Sequence, residues 1–252
     1  MLIHITRALF VAISMLINGN FAIGTEAVPS RAVVPETVLQ RDYRPSPTLN
    51  ASPPHDAVVL FDGSNLDGWA CQKGKNWEEP GGPANWKLIS GEVLEAIPGS
   101  GSIITKQRFT DFKLHLEFRV LGEKTNGGVY LLARYELNIN DSYDNPDGSQ
   151  CGAFTNLTKT IAPLSSMAAP PMQWQTFDID FRAPRFDSNN VLTEKARATV
   201  ALNGAIIHDD VELGNRKGAA KRFGDASSGP IMLQEHGTPY QFRNIWIVDK
   251  AR

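Results

Sequence analysis

Cysteine is scarce. The 252 residues hold two, Cys71 and Cys151. No CxxC and no Cys/His cluster occurs, so the sequence offers no structural zinc site. Two thiols without diagnostic spacing leave two readings open: one disulfide in an exported protein, or two free thiols. An excess of one charge is also missing. With 25 Lys+Arg against 27 Asp+Glu the formal net charge is −2, whereas a phosphate-binding surface needs clustered cations. Only Arg216 to Arg222, with four basic residues, approaches such a cluster. It reads as a solvated loop, and no nucleic-acid partner is expected. No Gly-rich phosphate loop, nucleophile elbow or dinucleotide fingerprint occurs, which removes nucleotide and classical serine-hydrolase chemistry. No segment sustains a helical period over about twelve residues.

What is present suits a globular chain. Hydrophobic residues make up 42% and charged residues 21%, unlike a disordered protein. The 21 Gly and 16 Pro supply many turns and favour strands over long helices.

The amino-terminal end differs from the rest. Arg7 precedes the apolar run Ala8 to Ile17, and small residues follow around Ala22 and Ala27. A basic flank, a short apolar core and a small-residue exit are expected of a secretory signal peptide over 1–27. The run is too short for a comfortable transmembrane helix, so no membrane association beyond the signal peptide is expected, with retention of that segment as an anchor the alternative. Residues 28–55 scatter Pro and Ser with no sustained period and read as an extended, disordered linker. The folded domain is then expected over 56–252, in a protein exported to the periplasm or beyond the cell.

That domain reads as strands. Phe112 to Val120 alternates strictly, with Phe112, Leu114, Leu116, Phe118 and Val120 on a buried face and Lys113, His115, Glu117 and Arg119 opposite. Trp174 to Arg182 repeats the pattern. Ala196–Leu202 and Phe242–Val248 are further strands, and Val129–Ile139 reads as one long strand crossing a whole sheet. Turn signals separate them, including Asn126-Gly127-Gly128, Asp147-Gly148 and Asn203-Gly204. Many short alternating strands predict an all-β fold, an antiparallel sandwich or barrel.

Two stretches carry chemistry. On one face of the 129–139 strand the pattern places Tyr130, Leu132, Arg134, Glu136, Asn138 and Asn140. An aromatic, a cation, a carboxylate and amides in register suit a carbohydrate groove, because sugar hydroxyls need bidentate partners and a ring face needs a platform. A plain solvent-facing strand surface is the competing reading. Near the carboxyl end, Gln234 and His236 share one face while Glu235 takes the other. An imidazole there could donate or accept a proton, or serve only as a surface residue.

The ordered series Phe61-Asp-Gly-Ser-Asn-Leu-Asp-Gly-Trp69, Asp111-Phe112, Asn126-Gly-Gly-Val-Tyr130, Arg134-Tyr-Glu136, Asp141-Ser-Tyr143, Cys151-Gly-Ala153, Trp174-Gln-Thr-Phe-Asp178, Leu202-Asn-Gly204, Leu233-Gln-Glu-His-Gly237 and Phe242-Arg-Asn-Ile245 resembles the 3-keto-disaccharide hydrolase family. The resemblance spans nearly all of 57–249. It implies a concanavalin A-like lectin/glucanase fold, a two-sheet antiparallel jelly roll with a sugar-facing groove. One departure is Asn126-Gly127-Gly128, where the family often has Asn-Ser-Gly.

The resemblance also implies a chemistry. A C3 ketone acidifies the C2 proton, so a base, an electrophile at the ketone oxygen and an acid at the leaving group allow elimination followed by hydration. The expected catalytic residues are Glu136 and His236 as the proton-transfer pair and Arg134 at the enolate oxygen. Tyr130, Asn138, Gln234 and Asp141 are expected to bind the substrate. No cofactor is required, although the loop carrying Asp141, Asp144 and Asp147 could supply oxygen ligands to a divalent cation. The alternatives are a non-catalytic carbohydrate-binding module, an endo-glucanase, for which the Glu136–Asp141 stretch lacks the Glu-x-Asp-x-x-Glu pattern, and an adhesive surface domain.

Overall fold

The computed structural model describes residues 43–90, 92–122, 124–144 and 146–250. The expected signal peptide, 1–27, lies outside the described residues. In chain order the first strands are β1 (Val58–Phe61), β2 (Trp69–Lys73), β3 (Asn76–Pro83), β4 (Lys87–Ile89), β5 (Val93–Glu95), β6 (Ile103–Thr105), β7 (Phe112–Val120) and β8 (Asn126–Leu131). The remainder are β9 (Tyr135–Asn140), β10 (Gln175–Arg182), β11 (Arg185–Phe186), β12 (Leu192–Glu194), β13 (Arg197–Leu202), β14 (Ala205–Glu212), β15 (Met232–Leu233) and β16 (Tyr240–Asp249).

Eight strands form one antiparallel sheet, in the order β14-β13-β10-β7-β16-β5-β4 with β1 also on β16. Six form the other, β3-β2-β6-β15-β8-β9, and β11 and β12 make a short ribbon. The core lies between the two large sheets. From the eight-stranded sheet come Phe112, Leu114, Leu116 and Phe118 on β7, Phe177, Ile179 and Phe181 on β10, and Val200 and Leu202 on β13. Val129, Leu131, Leu137, Ile139 and Leu233 face them from the other. The period-two patterns on β7 and β10 therefore form the sandwich as the sequence predicts. The fold is the all-β antiparallel jelly roll. The Asn203-Gly204 turn also forms as read, with φ of 52° and 80° joining β13 to β14, the left-handed pair that a tight hairpin needs.

Two expectations need correction. Val129–Ile139 is not one strand. It folds back as the β8–β9 hairpin, with Leu131 paired to Tyr135. Leu132 and Ala133 both take φ of 53°, and the Arg134 N–H donates to the Leu131 carbonyl at 3.0 Å. Neither Gly nor Asn marks this turn, so the alternation continued straight through it. Burial holds the turn in place. Leu132 belongs to the main core, and a Cβ on Gly229 would lie 2.6 Å from the Leu132 carbonyl oxygen. Only a glycine lets that backbone approach.

The second correction concerns the linker. From residue 43 onward it packs against the outer face of the eight-stranded sheet, so the folded domain starts before residue 56. Ser46 is buried, and its hydroxyl pairs with Thr176 at 2.6 Å. Thr48 Oγ1 donates to Asp178 at 2.7 Å, and the Asn50 N–H donates to Glu117 at 2.5 Å. The middle of the polar face of β7 is thereby covered, and His115 and Glu117 are buried. Arg243 Nε donates to Glu117 at 2.6 Å, and His115 Nδ1 meets Asp178 at 2.7 Å. Cys71 and Cys151 are free thiols, which decides between the two cysteine readings.

These contacts fix a pH dependence. Burial pushes the Glu117 carboxyl up, but donors from His115, Asn244, Arg243 and Asn50 outweigh it and bring it down to about 2. A carboxyl lowered on folding contributes stability that is present above the ordinary carboxylate range and lost as pH falls toward that value. His115 has the opposite sign: burial lowers it, Asp178 and Glu117 outweigh the burial, and it stands raised. Its contribution is complete below the ordinary histidine range and lost as pH climbs past its raised value. Glu117→Gln should cost about 3 kcal/mol near neutral pH, because it leaves buried donors without their charge partner. In urea denaturation from pH 6 to pH 2 the variant should lose less stability than the parent.

Candidate functional site

The hairpin register builds the site. Directly opposed residues on antiparallel strands point to the same side. Tyr130 opposes Glu136, Gly128 opposes Asn138 and Asn126 opposes Asn140, so these side chains share the outer face of the six-stranded sheet. On the other neighbour of β8, Met232 opposes Tyr130, and the Gln234 N–H donates to the Gly128 carbonyl at 2.9 Å. Gln234 and His236 therefore join the same face, and Glu235 turns away, as the alternation predicts. A groove of about 650 Å³ runs here, lined by Tyr130, Glu136, Asn138, Asp141, Gln234 and His236 among others. Of the seven residues expected at the site, six line one hollow.

Arg134 is the seventh, and the structure places it elsewhere. It sits in the turn, 4% exposed, outside the groove lining. Its guanidinium pairs with Glu78 and donates to the carbonyls of Gly224 at 2.7 Å and Leu132 at 2.9 Å. It ties the β2–β3 hairpin and the 216–225 loop to the β8–β9 turn. The expected role at an enolate oxygen is therefore withdrawn, because its donors are engaged in the wall of the site.

Around Glu136 the environment is selective. Thr155 Oγ1 donates to Glu136 Oε2 at 2.8 Å, and Asn156 Oδ1 accepts the Glu136 N–H at 3.0 Å. Gln234 Nε2 donates to the Tyr130 hydroxyl at 3.1 Å, which leaves that O–H for Glu136. Burial raises the Glu136 carboxyl above the ordinary range. Donors Thr155 and Tyr130 and the electrostatic pull of His236 and Lys217 act against that rise without cancelling it. The Tyr130 hydroxyl is likewise raised, by burial first and by the Glu136 charge second. A raised carboxyl is a stronger base when ionised, a property common at reactive sites. His236 is exposed at the other side of the hollow, where Asn126 Nδ2 lies 2.6 Å from its Nδ1.

Sequence reasoning missed Trp77, Lys124, Asn126, Thr155, Asn156 and Lys217, all in the groove lining. Trp77 meets Tyr130 edge-on at 5.4 Å and lies beside Phe223 at 5.2 Å. It comes from β3, four strands away in the sheet order, and no local pattern announces that contact. Lys217 was read within a solvated loop, yet it reaches the groove. The acidic loop, in contrast, does not gather: no group of three or more His, Cys, Asp or Glu side chains converges among the described residues. Asp147 instead accepts the Ser149 N–H and hydroxyl, each at 2.7 Å.

The family profile described as the 3-keto-alpha-glucoside-1,2-lyase-like domain matches residues 56–248. The chain belongs to that family. Among solved structures it is similar to a candidate glycosyl hydrolase from Parabacteroides distasonis ATCC 8503, at 32% identity and a TM-score of 0.68, covering 79% of this chain and 85% of that one. Another candidate glycosyl hydrolase from the same organism aligns at 17% identity and a TM-score of 0.57, covering 77% and 94%. A third aligns at 22% and 0.52, covering 77% and 98%. None of the curated proteins matches the chain.

The departure at Gly127 has a structural reason. Gly127 points away from the groove, and a Cβ there would fall 2.3 Å from Tyr240 Cζ. Tyr240 is buried and donates its hydroxyl to the Gln234 carbonyl, so the aromatic ring fills the space of a side chain at 127. Gly127→Ser should lower stability by roughly 2 kcal/mol through overpacking, read as a fall in the urea midpoint with an unchanged m-value.

Proposed function

We propose that this protein is an exported carbohydrate-active hydrolase that cleaves glycosidic bonds of 3-keto-disaccharides or 3-keto-glycosides by elimination and hydration. The observation that carries the reading is the shared groove. A half-buried carboxyl raised by desolvation, Glu136, faces the same hollow as the exposed imidazole of His236, between amides suited to hydroxyls. Family membership and the candidate glycosyl hydrolases among its structural relatives support the same class.

Ionised Glu136 takes the C2 proton, and the C–H pair becomes the C2=C3 bond of an enolate whose charge rests on the ketone oxygen. The enolate then collapses, the C1–O bond breaks, and the departing oxygen takes its electron pair. The proton held by Glu136 passes to that oxygen, and water adds to the resulting enone. Thr155 and Tyr130 hold the carboxylate, and Gln234, Asn138 and Asp141 face the sugar hydroxyls. Lys217 lines the same groove, and its charge helps to hold Glu136 ionised. The proximity of several hydroxyl partners to one base is what a positioned ring requires.

A carbohydrate-binding module without catalysis would use the same hollow, but it would have no need of a carboxyl made more basic by burial. Glu136→Gln should lower kcat on a 3-keto-disaccharide by roughly 10²–10⁴, with KM changed far less. Released monosaccharide is the readout, compared with the unoxidised disaccharide. Substrate binding by the parent with no product release would refute the hydrolase reading in favour of the binding module.

A further inference from the structure

Among the described residues, His236 is held by one side chain whose chemistry restricts what the ring can do. The Asn126 Nδ2 group is a donor and lies 2.6 Å from His236 Nδ1. A donor amide requires an acceptor, so Nδ1 carries the lone pair and the neutral ring carries its proton on Nε2. The Asn126 backbone is itself pinned: its N–H donates to Thr238 Oγ1 at 2.9 Å, and its carbonyl accepts the same hydroxyl at 3.1 Å. The amide therefore projects from a fixed point on β8, opposite Asn140. With Nδ1 engaged, Nε2 is the ring nitrogen available to a ligand in the groove that His236 lines.

We infer that Asn126 is a positioning residue that holds His236 as the neutral Nε2–H tautomer, and that His236 acts as the electrophile toward the ketone oxygen instead of as a base. The inference rests on the elimination reading of the groove. A neutral imidazole whose N–H points at a carbonyl stabilises a developing enolate by hydrogen bonding, and no proton need leave the ring. The proton balance then belongs to Glu136 alone, which takes it from C2 and returns it to the leaving oxygen. This assignment also supplies the donor that Arg134, engaged in the wall, cannot. The other charged and titratable groups lining the same hollow are Tyr130 from β8, Glu136 from β9, Asp141 just past it, Lys124 before β8 and Lys217 from the 216–225 loop. Glu235, next in the chain, has its carboxylate on the Gly237 N–H at 2.5 Å.

Asn126→Asp is the decisive change, because it replaces the amide donor with an acceptor of equal size. The neutral ring should then move its proton to Nδ1 and turn a lone pair toward the ligand. In the full chain labelled with ¹⁵N-histidine, the His236 resonances, assigned by their loss in His236→Gln, should show Nε2–H in the parent and Nδ1–H in Asn126→Asp. On a 3-keto-disaccharide the variant should lose roughly 10²–10³ in kcat at neutral pH, the usual effect of one missing oxyanion donor. Asn126→Ala removes the restraint without reversing it and should lose far less. An unchanged Nε2–H tautomer in Asn126→Asp, or Nδ1–H in the parent, would overturn the inference. A parent with the expected tautomers and no turnover of any 3-keto substrate would instead refute the elimination reading while leaving the Asn126 restraint intact.

Discussion

The site depends on the register of one hairpin. Tyr130 and Glu136 face each other because the chain reverses at Leu132 and Ala133, and every other groove residue on β8 and β9 follows from that pairing. The reversal is costly. Two side-chain-bearing residues in the left-handed region disfavour the turn by about 1 kcal/mol each. Leu132 offsets this by burying its side chain in the core, with Gly229 beneath its carbonyl. Arg134 adds partners on two neighbouring segments, Gly224 and Glu78, and one within the turn, the Leu132 carbonyl. A slip of one residue would carry Glu136 and Asn138 into the core and bring Leu137 out. The turn thus fixes which side chains a ligand can meet.

The two outer faces of the sandwich carry similar residue types to different ends. On the eight-stranded sheet, His115, Glu117 and Asp178 lie beneath residues 43–55; Thr48 and Asn50 of that arm and Arg243 of β16 satisfy the carboxylates. Partners from the arm and from β16 make that cluster a structural lock. On the six-stranded sheet the polar residues line open space, and Glu136 keeps hydroxyl donors on one side while its own charge is disfavoured by burial. Composition cannot separate a lock from a site. The difference is whether another segment of the chain supplies the missing partners.

That distinction explains what the sequence reveals and where it stops. Strict alternation on β7 and β10 exposes the sandwich core, and Asn203-Gly204 announces its hairpin because those residue types tolerate positive φ. Tyr130, Glu136, Asn138, Gln234 and His236 are recoverable because period two survives the unnoticed turn: 130 and 136 differ by an even number, so the straight-strand reading and the hairpin place them alike. Leu132, Ala133 and Arg134, inside the turn, are where the two readings part. Trp77 and Lys217 are illegible for another reason. They reach the groove through contacts between segments distant in sequence. The arm at 43–55 is hidden because Pro and Ser suggest a free linker until Thr176, Asp178 and Glu117 are seen to receive it.

Burial of Glu136 links these layers into one argument. Its carboxyl is made more basic by the same desolvation that makes it expensive to ionise, so the fold must supply donors to hold the charge. Thr155 supplies one, and Tyr130, itself anchored by Gln234, supplies another. These donors oppose the effect of burial and so set how far the carboxyl rises. Too many would leave a weak base, and too few would leave a carboxyl that never ionises. Trp77 and His236 both line the hollow, and Arg134 braces the turn behind it through Glu78 and Gly224. The chemistry available to this groove is therefore set less by the identity of any one catalytic side chain than by the balance between the water excluded around Glu136 and the hydroxyls left to replace it.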